Sequence, residues 1–162
     1  MEESRPFDRV LGGMAWALFI ASAGVWWVQQ GDLPERIPIR FDFRGTPDGW
    51  GDRSTAWILF VGIGFVMGLM ALISRFLPKE QMNFPGKEDL EIMEAMYARS
   101  RTLLNGIQLS MSLLLIYILY MIWMAAQEIP DPLSPWSWAV ILLIVGLPLA
   151  IYYYSYIQLK KK

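Results

Sequence analysis

The chain is expected to be an all-α membrane protein with four transmembrane helices, and three observations point there. First, four long apolar runs cover Val10–Val28, Ala56–Leu77, Leu103–Ala126 and Trp136–Ile157, and Arg75 is the only charged residue within them. Each run is about 20 residues, enough to cross a hydrocarbon core of about 30 Å at about 1.5 Å per residue. Second, the basic residues split ten to four. Arg5, Arg9, Arg75, Lys79, Lys87, Arg99, Arg101 and Lys160–Lys162 fall on one side, and Arg36, Arg40, Arg44 and Arg53 on the other. Loops rich in Lys and Arg stay in the cytoplasm, so both termini and the middle connection are expected inside. Third, Trp26, Trp27, Trp50, Trp57, Trp123, Trp136 and Trp138 map to the outer end, whereas Tyr152, Tyr153, Tyr154 and Tyr156 gather at the inner end. Amphipathic rings settle at headgroup depth and form such belts.

Composition narrows the function. The chain has 162 residues, 55% of them hydrophobic, and a net charge of −1. No basic excess points to nucleic acid. Cysteine and histidine are both absent. Disulfides, thiol nucleophiles and thiolate metal sites are therefore excluded, and with them the commonest general base and transition-metal ligand. No internal repeat or long linker divides residues 1–162, so one domain is expected, multi-pass in the cell membrane.

The first helix, about residues 10–28, carries Gly13, Ala17, Ala21 and Gly24 at helical spacing. Its apolar run continues beyond the small residues Ala21, Ser22 and Ala23, which suits a retained span better than a cleaved leader. The second helix, about 56–77, carries Gly64 and Gly68. Small residues let helix backbones approach closely in lipid. Packing within the bundle is the plainer use, and dimerisation the sharper one. The third helix is expected over about 88–127, including a cytoplasmic extension, because no breaker interrupts it after Gly86. Asn105, Gln108 and Ser112 share one of its faces. Polar groups at that depth need partners, so they should point into the bundle. Glue between helices or a ligand contact would both fit. The fourth helix, about 136–157, contains Pro148, which should kink it.

The loop of residues 31–54 is the most specified polar stretch. Ile37, Ile39, Phe41 and Phe43 alternate with Pro38, Arg40, Asp42 and Arg44. Period two predicts an extended segment with one greasy face laid on the bundle or interface. Pro34 and Pro38 lack N–H groups, which suits an edge strand or a polyproline-like stretch. Thr46-Pro47-Asp48-Gly49 reads as a type I turn, with Pro second and Gly fourth. Ser54 is a candidate N-cap for the second helix.

"LPERIPIRFDFRGTPDGWG" resembles the signature of a bacterial membrane domain of unknown function found at the N-terminus of SdpI-like immunity proteins. The matching residues are Leu33, Pro34, Ile37, Pro38, Phe41, Gly45, Pro47 and Asp48. This chain carries Arg40 where that family usually has His. The resemblance implies a non-catalytic binding or sensing role through the outer loop, in self-protection against a secreted peptide toxin. The loop residues it singles out for binding are Pro38, Arg40, Phe41, Asp42, Arg44, Gly45, Pro47, Asp48 and Gly49.

Other chemistry finds less support. Asp42, Asp48 and Asp52 lack the ligand spacing of a calcium loop, and ion pairs with Arg40 and Arg44 fit them better. Asp42 and Asp48 have no nucleophile beside them. No catalytic residue, metal site or cofactor is expected. The expected partners are the lipid bilayer and a peptide toxin or other membrane protein subunits, with no nucleic acid. The alternative is a structural accessory subunit of a larger membrane complex, using the small-residue stripes and the long third helix as contact surfaces.

Overall fold

The computed structural model describes residues 6–42, 46–76, 90–127 and 136–160. Phe43, Arg44, Gly45 and the connections 77–89 and 128–135 lie outside the described residues. The described residues form four helices and one small sheet: α1 (Pro6–Gln29), β1 (Arg36–Phe41), β2 (Pro47–Asp52), α2 (Ala56–Phe76), α3 (Leu90–Ala126) and α4 (Trp136–Lys160). Short 3₁₀ turns, Gln30–Asp32 and Arg53–Thr55, join the sheet to α1 and α2. Among the described residues, three helical segments, Pro6–Asp32, Arg53–Phe76 and Glu94–Ala126, are long and apolar enough to cross a membrane. The apolar stretch of α4, Trp138–Tyr154, is shorter.

The third helix is the hub, packing against α1, α2, α4 and β1. Its polar residues explain why. Thr102 donates to Asp8 Oδ1 at 2.7 Å, and Asn105 Nδ2 donates to the Asp8 carbonyl at 3.0 Å. Gln108 Nε2 donates to the Met67 carbonyl on α2 at 2.9 Å, and Ser112 Oγ donates to the Ala15 carbonyl on α1 at 2.8 Å. Spacings of three and four residues put all four on one helix face. Gln108 and Ser112 are buried, and each has a partner. These side chains are thus committed to holding helices together.

The opposite side of α3 solves a problem set by Pro148. Proline has no N–H, so the Ile144 carbonyl one turn earlier loses its helical partner. Ser110 Oγ donates to that carbonyl at 2.6 Å. Gly106, one turn before Ser110, leaves room for the proline ring; a Cβ there would come within 3.3 Å of Pro148 Cβ. Helix α4 runs through Pro148 from Trp136 to Lys160.

The small-residue stripe of α1 does not pack inside the bundle. Gly13, Ala17, Ala21 and Gly24 are all exposed, and nothing approaches within 4 Å of a Cβ built on either glycine. The inward face of α1 is Asp8, Ala15, Ser22 and Trp26 instead. Of the α2 pair, Gly64 meets the Phe19 ring, with a would-be Cβ at 3.0 Å, while Gly68 is open. Bonds from Asn105 and Ser112 to the α1 backbone fix which face of α1 turns inward, and they override the pattern of small residues.

A compact apolar cluster lies at the hairpin end of the helices. Trp26, Leu33, Ile37, Ala56, Phe60, Leu115, Leu119 and Ile122 are its buried members, with Phe41, Trp57 and Trp123 packed around them. Residues from α1, the hairpin, α2 and α3 therefore share one core.

Candidate functional site

The segment between α1 and α2 folds into a β-hairpin. Strands β1 and β2 pair antiparallel, with Ile37 opposite Gly51, Pro38 opposite Trp50, Arg40 opposite Gly49 and Phe41 opposite Pro47. This corrects the type I turn expected at Thr46–Gly49, because Pro47 to Gly49 belong to a strand. Asp42 and Thr46 close the facing strand ends. Asp42 N donates to the Thr46 carbonyl at 2.9 Å, and Thr46 N donates to Asp42 Oδ1 at 2.8 Å. Pro47, as first residue of its strand, is where a missing N–H is tolerated.

The strand also departs from strict alternation. The pairing shifts register between Pro38 and Arg40 and again before Phe41. Ile37 and Pro38 are buried, Phe41 is half-buried, and Ile39 is 47% exposed. A bulge inserts an unpaired residue and turns the chain, so the greasy face is Ile37 and Phe41 without Ile39. Ile39 and Trp50 both stand outward.

The two glycines of β2 make room for β1 side chains. A Cβ on Gly49 would lie 2.9 Å from Arg40 Cβ, and one on Gly51 would lie 2.8 Å from Ile39 Cδ1. The Gly51 neighbour is a flexible side-chain end, whereas Arg40 Cβ is fixed to its backbone. Gly49→Ala should therefore strain the pair and loosen the hairpin by about 1–3 kcal/mol, the usual cost of overpacking. Protease cleavage in the hairpin should rise while helical circular dichroism stays constant. A collapse of helical signal would show that the bundle needs the hairpin.

Arg40 reaches across the strands. Its Nε donates to Asp48 Oδ1 at 2.9 Å, and Nη2 donates to the Asp48 carbonyl at 3.2 Å. Both side chains are exposed, at 71% and 44%. Such a pair contributes only about 0–1 kcal/mol, so its presence says little about stability. Asp42 serves the turn, and Asp52 serves a helix start. Asp52 Oδ1 accepts from Ser54 N at 2.7 Å and caps the 3₁₀ turn before α2. The cap is thus Asp52 and not Ser54, whose own N–H is the donor; an acidic or Asn side chain bonding two residues onward is the usual turn former. The Ser54 hydrogen bonds hold the Asp52 carboxyl below the ordinary carboxylate range. Its contribution is present above that range and is lost as pH falls through the lowered value.

Arg53 clamps the whole unit. Its Nη1 donates to the carbonyls of Gln30 at 3.0 Å and Leu33 at 3.1 Å, and its backbone N donates to the Glu35 carbonyl at 3.0 Å. Trp57 Nε1 adds a bond to Gln30 Oε1 at 3.1 Å, and its ring packs edge-on to Trp27 with centroids 5.9 Å apart. The start of α2 is thus tied to the end of α1, with the hairpin held between them.

Of the residues singled out from the sequence, Pro38 and Phe41 serve packing. Arg40, Asp48 and Gly49 come together on the hairpin, and Asp42 and Pro47 mark the ends of its reversal. Arg44 and Gly45 lie outside the described residues. Asn105, Gln108 and Ser112 sit in the bundle, apart from the hairpin. Among the described residues, no group of three or more His, Cys, Asp or Glu is placed to hold a metal ion.

The clamped unit has a counterpart among known families. Residues 17–64 match the family model of DUF1648, a domain of unknown function. The DUF1648 match begins midway along α1, takes in the hairpin and its clamp, and ends within α2. No curated protein and no solved structure is significantly similar to the chain. Sequence reasoning passed over Arg53 as a clamp and Ile39 and Trp50 as an outward pair. Arg53 could have been found as the one basic residue between the turn cluster and the second apolar run.

Proposed function

We propose that this is a bacterial integral membrane protein, akin to SdpI-like immunity proteins, whose hairpin is a non-catalytic recognition surface on the outer side of the cell membrane. In this reading α4 also spans, both termini face the cytoplasm, and the ten-to-four split of basic residues sets the orientation. One observation carries the proposal. The hairpin is fixed on its inner face by Ile37 and Arg53, yet its other face presents Ile39, Arg40, Asp48 and Trp50 to the surroundings. Connecting two helices needs only a few residues. A rigid scaffold with polar and aromatic groups displayed on a loop is the common arrangement for binding.

The test separates display from packing. Arg40→Ala with Arg44→Ala, and separately Trp50→Ala, should accumulate at the wild-type level. Protection of cells against a secreted peptide toxin, or retention of a partner chain in mild detergent, should fall at least about thirtyfold, since a desolvated charge contact contributes about 2–5 kcal/mol. Full activity in the double variant would sink the recognition role and leave the hairpin as a structural lid.

A second reading, an accessory subunit of a larger membrane complex, draws on the exposed stripe Gly13, Ala17, Ala21 and Gly24. Small residues facing outward suit contact with another helix. In that case the retained chain would be lost on enlarging the stripe and kept in the hairpin variants.

A further inference from the structure

Resting on the hairpin as a recognition surface, we propose that β2 takes an extended peptide as a third strand, one that sets an apolar residue beside Trp50 and a basic residue, two positions away, beside Asp52. The sheet has two strands, so each has an outer edge. The two edges differ. Strand β1 packs against α3 and the 3₁₀ turn before α2, and its Pro38 has no N–H to offer. Strand β2 packs chiefly on β1, and after Pro47 at its start every residue carries an N–H. Among the described residues no third strand bonds to it.

The register decides which groups this edge offers. Antiparallel pairs alternate between those that exchange hydrogen bonds and those that do not. Trp50 lies opposite Pro38, which cannot donate, so that pair is of the second kind. Arg53 N donates to the Glu35 carbonyl at 3.0 Å, which makes the neighbouring Arg36–Asp52 pair of the second kind as well. The N–H and C=O groups of Trp50 and Asp52 therefore point away from β1, at the spacing a third strand needs. Extended peptides add to sheets along such unpaired rows.

Charge selects the occupant. Asp48, Trp50 and Asp52 are the exposed residues of β2, with half-buried positions between them. Asp48 shares its charge with Arg40. Asp52 makes no ion pair among the described residues, and its Oδ1 accepts the Ser54 N–H at 2.7 Å. A basic side chain opposite Asp52 is thus favoured and an acidic one opposed. The same charges argue against a second copy of this chain. An edge-to-edge pair centred on Trp50 would set Asp48 of each copy opposite Asp52 of the other, like charge on like.

Fluorescence anisotropy tests this on the full chain in a neutral detergent, with the blocked, labelled peptide Gly-Ser-Lys-Thr-Val-Thr-Lys-Ser-Gly as probe. In a third strand the Val and Lys N–H groups face β2 and the Thr N–H groups face away. Methylating the Val nitrogen should therefore weaken binding about tenfold, and methylating the Thr nitrogen after it less than about twofold. Exchanging both Lys for Glu should weaken binding about tenfold. Asp52→Asn keeps a side chain able to cap the turn and should remove most of that difference. Equal weakening by the two methylations would overturn the proposal, as would equal binding of the Lys and Glu peptides, and neither comparison depends on a variant folding. Self-association of the chain that the peptide fails to displace would assign the edge to a second copy and overturn it too. Equal weakening together with lost partner retention in Trp50→Ala would strike the third strand and keep the recognition reading. Full activity in Trp50→Ala would strike the recognition reading beneath it.

Discussion

Arg53→Leu is expected to release the hairpin from the helices while leaving the bundle assembled. The guanidinium spans two carbonyls, Gln30 and Leu33, at 3.0 and 3.1 Å. Hydrogen bonds to a charged group contribute about 1.5–3 kcal/mol each. Partial exposure of this site reduces that, so about 2–3 kcal/mol for the pair is the expected loss. Cleavage by protease between β1 and β2 should then rise roughly thirty- to a hundredfold, at 1.4 kcal/mol per factor of ten. Arg53→Lys should recover part, because its ammonium, like the single Nη1 that makes both bonds, can donate to two carbonyls, but from a differently shaped stem. Helical circular dichroism should not change, since the bonds from Thr102, Asn105, Gln108 and Ser112 are far from the clamp. Unaltered cleavage in Arg53→Leu would show that β1 packing alone seats the hairpin.

The hairpin's packing anchor is Ile37, fully buried among Leu33, Phe60, Leu119 and Ile122. Ile37→Ala should cost about 2–5 kcal/mol, combining lost transfer energy with the cavity left behind. Ile39→Ala is the matched control: two residues along the same strand, it is 47% exposed and should cost well under 1 kcal/mol. Hydrogen exchange of the β1 and β2 amides measures both. A loss in Ile39→Ala equal to that in Ile37→Ala would place Ile39 in the core and remove the bulge.

The helices were legible because apolar runs of about 20 residues have few other uses. The polar face of α3 was legible for a related reason: Asn105, Gln108 and Ser112 cannot be left unpartnered among apolar side chains. The hairpin was legible in part. Alternation from Ile37 to Phe43 predicts an extended segment, but a register shift at Ile39 depends on what β2 offers opposite, and only the paired structure reveals it. Thr46-Pro47-Asp48-Gly49 carries the residue types of a turn. Those same types also suit a strand that must start without an N–H and make room for Arg40, which is how β2 uses Pro47 and Gly49. The inward face of α1 was misread from its small residues. It is set by bonds from α3 to the backbone, and backbone acceptors leave no mark in composition.

Because the sequence contains no cysteine, a single introduced thiol reports its own surroundings without background. Trp50→Cys, Ile39→Cys and Ile37→Cys can each be exposed in intact cells to a membrane-impermeant maleimide. A clamped hairpin displayed on the outer surface should give rapid labelling at positions 50 and 39 and almost none at 37. Labelling at 50 only after the cells are opened would put the hairpin on the cytoplasmic side. Labelling at 37 as fast as at 50 would contradict the clamped cap itself.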